Sequence, residues 1–428
     1  MWKRSTIGVI LLVSVFAAMA GSEEPKRTTP SDQPNGREKQ LGPIASTNLN
    51  VDQLKDAQTA ALAADFLEKN YAGAKQPESF RMLLAALRGA ESVGPHDGWF
   101  GPANSRFTWQ RLAGRHGVNP ASGSISREQF RGPDSFFKRL DRNGDGRITA
   151  DDLDWSERNP WVQQSSLVTR LFRRMNTKGD GKLTREDLDE LFKKTSQGKD
   201  FVTSDDLRHF LLLPGGYLPG DAPTTPVMVR SLFAGELGSL NEGPRLEEKA
   251  PDFTLKSIDT KSSIQLSKLI GPKPVMIVLG NFTCGPFRAL YPEVDAVYQR
   301  YKDEANFVMV YVREAHPTDG WKMQANAKAG VEVKQPITFG ERVNVCDQFC
   351  AKLKPTMPVA VDEIHDPVGN AYSGMPSRLY VIDSTGKVAY KSGRGPFGFK
   401  VGEMEQALIM CLLEQGGNAP GSINSQAK

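Results

Sequence analysis

The stretch Pro274-Val275-Met276-Ile277-Val278-Leu279-Gly280-Asn281-Phe282-Thr283-Cys284-Gly285-Pro286-Phe287-Arg288 decides the fold. Its apolar, branched run from Val275 to Leu279 reads as a buried strand. The strand leads directly into Cys284, after which Leu290, Val294, Val297 and Tyr298 recur at helical spacing. Pro286 suits a helix's first turn, so Cys284 is expected at a helix N-terminus. Backbone amides and the helix dipole favour a thiolate there, and Arg288 one turn on adds to the effect. Cys284 is therefore expected to be a nucleophile with a pKa below that of a free thiol.

Phe307 to Val312 and Leu379 to Ile382 repeat the buried-strand pattern, with helical segments between the first two strands and after the last. Strands alternating with helices predict an α/β sandwich on a mixed sheet. Lys249-Ala250-Pro251-Asp252-Phe253-Thr254-Leu255 resembles the opening of peroxiredoxin-like thioredoxin folds. Gly374-Met375-Pro376 stands where such folds place a cis-proline facing the nucleophile.

Three segments carry a narrower resemblance. Asn281 to Arg288, Glu314-Ala315-His316-Pro317-Thr318-Asp319-Gly320-Trp321 and Pro376-Ser377-Arg378-Leu379-Tyr380-Val381-Ile382 resemble the iodothyronine deiodinases in order and spacing, over about Leu246 to Leu413. The resemblance implies that Cys284 replaces the family's usual selenocysteine. It also implies that His316 and Arg378 hold the iodothyronine and that Glu314 is a family acid. A thiolate attacking the iodine of an aryl iodide leaves negative charge on the ring carbon, so a proton donor is needed, and His316 with Glu314 is the candidate. Phe282 stands where the family often carries a second Cys, and no His matches near Gln335. Cys346 and Cys350, four apart on a predicted helix, are the possible resolving thiols or else core residues, and Cys411 reads as an inert core thiol. An external thiol reductant, small molecule or thioredoxin-like, is implied.

A second motif precedes this domain. Asp141-Arg142-Asn143-Gly144-Asp145-Gly146-Arg147-Ile148-Thr149-Ala150-Asp151-Asp152 places oxygen ligands at Asp141, Asn143 and Asp145, a turn glycine at Gly146, a backbone carbonyl at Arg147 and a carboxylate at Asp152. It resembles an EF-hand calcium loop, with the shorter Asp152 in place of the usual Glu. Asn176 to Asp187 repeats the frame with Lys178 inside the ring, which opposes calcium. Val118 to Gln129 and Thr195 to Asp206 keep only the apolar contacts Ile125 and Val202, and are expected to pair structurally with the other loops.

The 428 residues, with a net charge of +4 and no basic run, argue against nucleic-acid binding. Lys3 and Arg4 before the apolar run Ile7 to Ala20 read as a secretory signal, so the chain is expected to be exported, periplasmic or secreted, and membrane-associated only if the signal stays uncleaved. The predicted order is a signal (1–20), a flexible tether (21–50), a helical EF-hand region (51–212), a Pro/Gly-rich linker (213–245), a thioredoxin-like deiodinase-type domain (246–415) and a tail (416–428). The favoured activity is reductive dehalogenation of a small iodinated aromatic substrate. The alternatives are a general thiol peroxidase or disulfide reductase, and a calcium-dependent binding module with an inactive redox domain.

Overall fold

The computed structural model describes residues 51–71, 78–89, 103–121, 123–156, 158–212 and 223–416. The signal, the tether, residues 213–222 of the linker and residues 417–428 lie outside the described residues. Among the described residues no helix is long and apolar enough to cross a membrane.

The strands are β1 (Asn104–Ser105), β2 (Ile125–Ser126), β3 (Arg147–Ile148), β4 (Thr254–Ser257), β5 (Ser263–Gln265), β6 (Val275–Gly280), β7 (Asn306–Tyr311), β8 (Val359–Val361), β9 (Arg378–Ile382) and β10 (Val388–Lys391). All but β2 and β3 form one sheet, in the order β1-β10-β9-β6-β7-β8-β4-β5. Strands β6, β7 and β8 are parallel, whereas β9 runs antiparallel beside β6 and β10 antiparallel beside β9. The helix Gly285–Tyr301 makes the crossover from β6 to β7 that a parallel pair requires. With the helix Val401–Gly416 following β10, this is the thioredoxin-like arrangement. Residues throughout β6 and β9 are buried, which explains why those strands read as continuous apolar runs rather than as alternation.

The helical region is less separate than the sequence suggests. Phe107, Trp109, Leu112, Ile125, Phe137 and Ile148 share one core with Met276, Phe287, Tyr291 and Leu408, and β1 pairs with β10 as an edge strand. Arg106 reinforces the contact through ion pairs to Asp383 and Glu414. A second correction concerns the linker, which contains the helix Thr225–Phe233 with Pro226 in its first turn, the position that tolerates a missing amide. Its Met228, Val229 and Leu232 pack with Leu67, Met82 and Leu83 of the helices Ala57–Tyr71 and Glu78–Arg88. Density of Pro and Gly concealed this short apolar face.

Loops 118–129 and 141–152 pair as their apolar contacts predict, Ile125 opposite Ile148 in the β2–β3 ribbon. The helices Asp134–Leu140 and Ala150–Leu153 flank the second of these loops.

Candidate active site

Cys284 is the N-cap of the helix Gly285–Tyr301, four residues beyond the end of β6. Its amide donates to Asn281 Oδ1 at 3.0 Å, and Asn281 Nδ2 donates to the Pro376 carbonyl at 3.0 Å. The Met375-Pro376 peptide bond is cis. One asparagine thus joins the cysteine loop to the proline turn before β9.

Thr283 is the second organiser. Its hydroxyl accepts from the amides of Ala315 and His316, both at 3.0 Å, and donates to Glu314 Oε2 at 2.7 Å. The Thr283 amide also donates to Glu314 Oε2, at 2.8 Å. The Tyr311 hydroxyl donates to the other carboxylate oxygen of Glu314. Gln335, where the resemblance leaves a histidine unmatched, clamps the Glu314 backbone by accepting from its amide at 3.1 Å and donating to its carbonyl at 3.0 Å. Asn326 completes the cradle, donating to the Thr283 carbonyl at 2.8 Å and accepting from Arg288 Nη2 at 2.7 Å.

These positions correct two electrostatic expectations. Cys284 is only 2% exposed, and desolvation pushes its thiol above the ordinary value despite the Phe287 amide and the nearby Arg288. The amide at the helix start and Arg288 both favour the thiolate, but burial outweighs them. Arg173, from the helix Pro160–Met175, and Glu314 add smaller opposing influences. His316 likewise shifts against a role as resident acid: burial pushes it down to about 4, with a carbonyl hydrogen bond opposing the shift and Arg288 assisting it. Its Nδ1 lies 3.0 Å from the Trp321 carbonyl, which can only accept, so the proton resides on Nδ1 and Nε2 offers a lone pair. Burial also raises Glu314, despite its hydrogen bonds from Tyr311 and Thr283.

Thr283 therefore ties the Cys284 loop to the Glu314 carboxylate and to the His316 backbone, whereas Arg378 is committed elsewhere. Arg378 is buried and donates to the Ser392, Ser373 and Glu242 carbonyls and to Glu78 Oε1 at 3.4 Å. The resemblance could not show this, because the partner carboxylate lies far up the chain. Cys346 is buried and Cys350 half-buried on the helix Phe339–Leu353, and both are free thiols. Phe349 between them stacks on Phe287 and meets Phe282 and Tyr311 edge-on or tilted. Cys350 instead lines a cavity of about 620 Å³ with Ile258, Ile264 and Met357. Asn281 and Thr283 lie inside the cysteine motif and Gln335 at the unmatched family position, but the sequence assigns neither these three nor Asn326 a place in the site, since amides and hydroxyls carry no periodicity of their own.

In the Asp141–Asp152 loop, Asp141 accepts from the amides of Gly144, Asp145 and Gly146, which wraps the loop around its carboxylate. Asp152 is fully buried and already accepts from the amides of Arg142, Asn143 and Thr149 and from the Thr149 hydroxyl. Asp141, Asn143 and Asp145 fit a hard cation's donor set, while Asp152 does not point a free carboxylate at it. Among the described residues no group of three or more His, Cys, Asp or Glu is placed to hold a metal ion. In the Asn176–Asp187 loop, Lys178 Nζ lies 3.1 Å from Asp187, an internal cation on the last ring position.

A cysteine at a helix N-cap, joined through Asn281 to a proline turn on this sheet order, belongs to a thioredoxin-like α/β domain. Residues 224–410 match the family model described as iodothyronine deiodinase. The chain is 27% identical to thyroxine 5-deiodinase of Sparus aurata, over 46% of this chain and 70% of that protein. It is 32% identical to the same enzyme of Aquarana catesbeiana, over 35% of this chain and 53% of that one. It is 28% identical to human type II iodothyronine deiodinase, over 44% of this chain and 66% of that one. The domain is thus an iodothyronine deiodinase-like oxidoreductase. Among solved structures, the thioredoxin domain of a thiol-disulfide oxidoreductase from Bacteroides vulgatus aligns at 14% identity and a TM-score of 0.28, covering 39% of this chain and 97% of that one. A thiol:disulfide interchange protein of the thioredoxin family from Chlorobium tepidum aligns at 16% identity and a TM-score of 0.28, with the same two coverages.

Proposed function

We propose that the chain is a reductive dehalogenase acting on iodinated aromatic substrates of the iodothyronine type through Cys284. The observation that carries this reading is the Thr283 hydroxyl, which ties the cysteine loop to both Glu314 and the His316 backbone. Neutral Nε2 of His316 takes the thiol proton, which makes the thiolate that burial otherwise disfavours. The thiolate sulfur bonds to iodine, the carbon–iodine bond breaks, and its electron pair goes to the ring carbon, which takes the proton back from His316. The products are the dehalogenated ring and a sulfenyl iodide on Cys284. An external thiol displaces iodide to form a mixed disulfide, and a second thiol restores Cys284. Glu314 acts as a positioning residue, and Cys346 or Cys350 is a candidate to resolve the oxidised sulfur.

Iodide release from iodothyronines with a dithiol, compared between wild type and Cys284→Ser, tests this. Cys284-dependent release is expected, and its absence from wild type would sink the reading. The enclosure of Cys284 favours one second reading, a thiol peroxidase with a small substrate. Cys284-dependent peroxide consumption without iodide release would establish that alternative.

The Asp141–Asp152 loop is proposed to bind one calcium ion through Asp141, Asn143, Asp145 and the Arg147 carbonyl, with Asp152 exchanging its amide hydrogen bonds to join them. Affinity in the weak range of extracellular modules, about 10⁻⁴–10⁻³ M, is expected by calorimetry. Binding that survives Asp141→Ala with Asp145→Ala would refute the assignment.

A further inference from the structure

The sequence gives Glu78 no role, yet its buried carboxylate accepts hydrogen bonds from two of three buried cations that lie together. Arg394 Nη2 and Nε donate to its two oxygens at 3.1 and 3.3 Å, and Arg378 Nη2 donates at 3.4 Å. Lys391 completes the group, donating to the carbonyls of Glu242 and Gly243. Glu78, Arg378, Lys391 and Arg394 are each less than a tenth exposed. Burial opposes ionisation of Glu78, but Arg394 and then Arg378 outweigh it and hold its carboxyl below the ordinary value. Burial and Arg378 push Lys391 down to about 7. Glu242 also acts on Lys391, and its carboxylate accepts from the Glu78 amide at 3.0 Å, so the positive charge that the Glu78 carboxylate meets comes chiefly from the two guanidinium groups.

A short path leads from this group to the nucleophile. Arg394 Nη1 donates to the Met375 carbonyl at 3.3 Å, and Nη2 donates to Ser373 Oγ at 2.7 Å. The next carbonyl, that of Pro376, accepts from Asn281, whose Oδ1 holds the Cys284 amide. Glu78 begins the helix Glu78–Arg88, whose apolar face packs in the separate core with Met228 and Leu232.

We propose that Arg378, Lys391 and Arg394 form a carboxylate-binding site which Glu78 fills in cis, and that its occupancy holds the Met375-Pro376 turn against the Cys284 loop. Glu78 is then a positioning residue acting through Arg394. The proposal rests on Cys284 as the nucleophile, but its test reads thiol reactivity and not dehalogenation, so the two can fail separately.

The test uses the full chain with Glu78→Ala, and sodium acetate against sodium chloride at equal ionic strength. Without Glu78 the proline turn loosens and water reaches the thiol. A fall of about one unit in the Cys284 pKa would give about tenfold faster iodoacetamide alkylation at neutral pH. Acetate, unlike chloride, should slow that alkylation again and raise the variant's melting temperature, with neither effect in wild type. Acetate acting no differently from chloride on the variant would overturn the binding site. An unchanged alkylation profile in a folded variant would overturn the positioning role. If Glu78→Ala does not fold, Glu78→Gln keeps the shape and removes the charge. Faster Cys284 alkylation is expected of it, and a wild-type rate and pH profile would overturn the proposal.

Discussion

Glu78 and Glu314 are both buried carboxylates that reach the Cys284 loop through hydrogen bonds, yet their surroundings drive them in opposite directions. Glu314 has neutral partners, Thr283 and Tyr311, and burial raises it above its ordinary value. Glu78 has two guanidinium groups, and they bring it below. Burial alone penalises a charge, whereas burial with a matched cation fixes it. One carboxylate therefore organises the nucleophile by hydrogen bonding. The other joins the N-terminal helix to the redox fold by charge.

The sharpest way to break this contrast is to remove each partner in turn. Glu78→Ala leaves two buried guanidinium groups without their anion and should cost about 3–5 kcal/mol in chemical denaturation. A cost within the range of a surface substitution would mean the pair does not anchor the helix. Thr283→Val removes the acceptor of the Ala315 and His316 amides, and should cost about 2 kcal/mol while disordering the 314–316 turn. Amide exchange at those two residues reports it, and protection equal to wild type would contradict the network.

Glu314→Gln keeps the shape and one acceptor oxygen, so about 1 kcal/mol is expected. If it instead costs as much as Glu78→Ala, Glu314 is charged and the contrast between the two residues collapses.

The remaining effects are in pH. Glu78, lowered from 4.5, contributes stability that is present above that value and lost as pH falls below it. Glu314, raised from 4.5, contributes in the opposite sense, with stability present below that value and lost as pH rises through its folded pKa. His316 falls from 6.5 to about 4, so the unfolded chain binds more protons between those values and stability rises with pH across that window. Subtracting the stability curve of His316→Gln from that of wild type should isolate this rise. A flat difference would place the imidazole in water.

The strand–cysteine–helix order was legible because each part has a local cause: branched apolar residues for β6, Gly285-Pro286 for the helix start and recurrent apolar positions for its buried face. The Ile125–Ile148 pairing was legible for the same reason, since each loop keeps its apolar contact in a fixed frame. Reactivity was not. Local rules put Cys284 at a dipole's positive end, but burial in a core assembled from many elements outweighs that and raises its pKa.

Local sequence is enough to set the elements and the chemical groups at their ends. Tertiary structure alone decided that Arg378 faces Glu78 and not open solvent, that the linker's Met228 and Leu232 find a core, and that the Asn104–Ser105 strand closes the sheet edge beside β10. The physical reason is range. Helix starts and strand patterns follow from neighbours a few residues away, whereas a buried charge or an edge strand is stable only once a partner from hundreds of residues away has arrived.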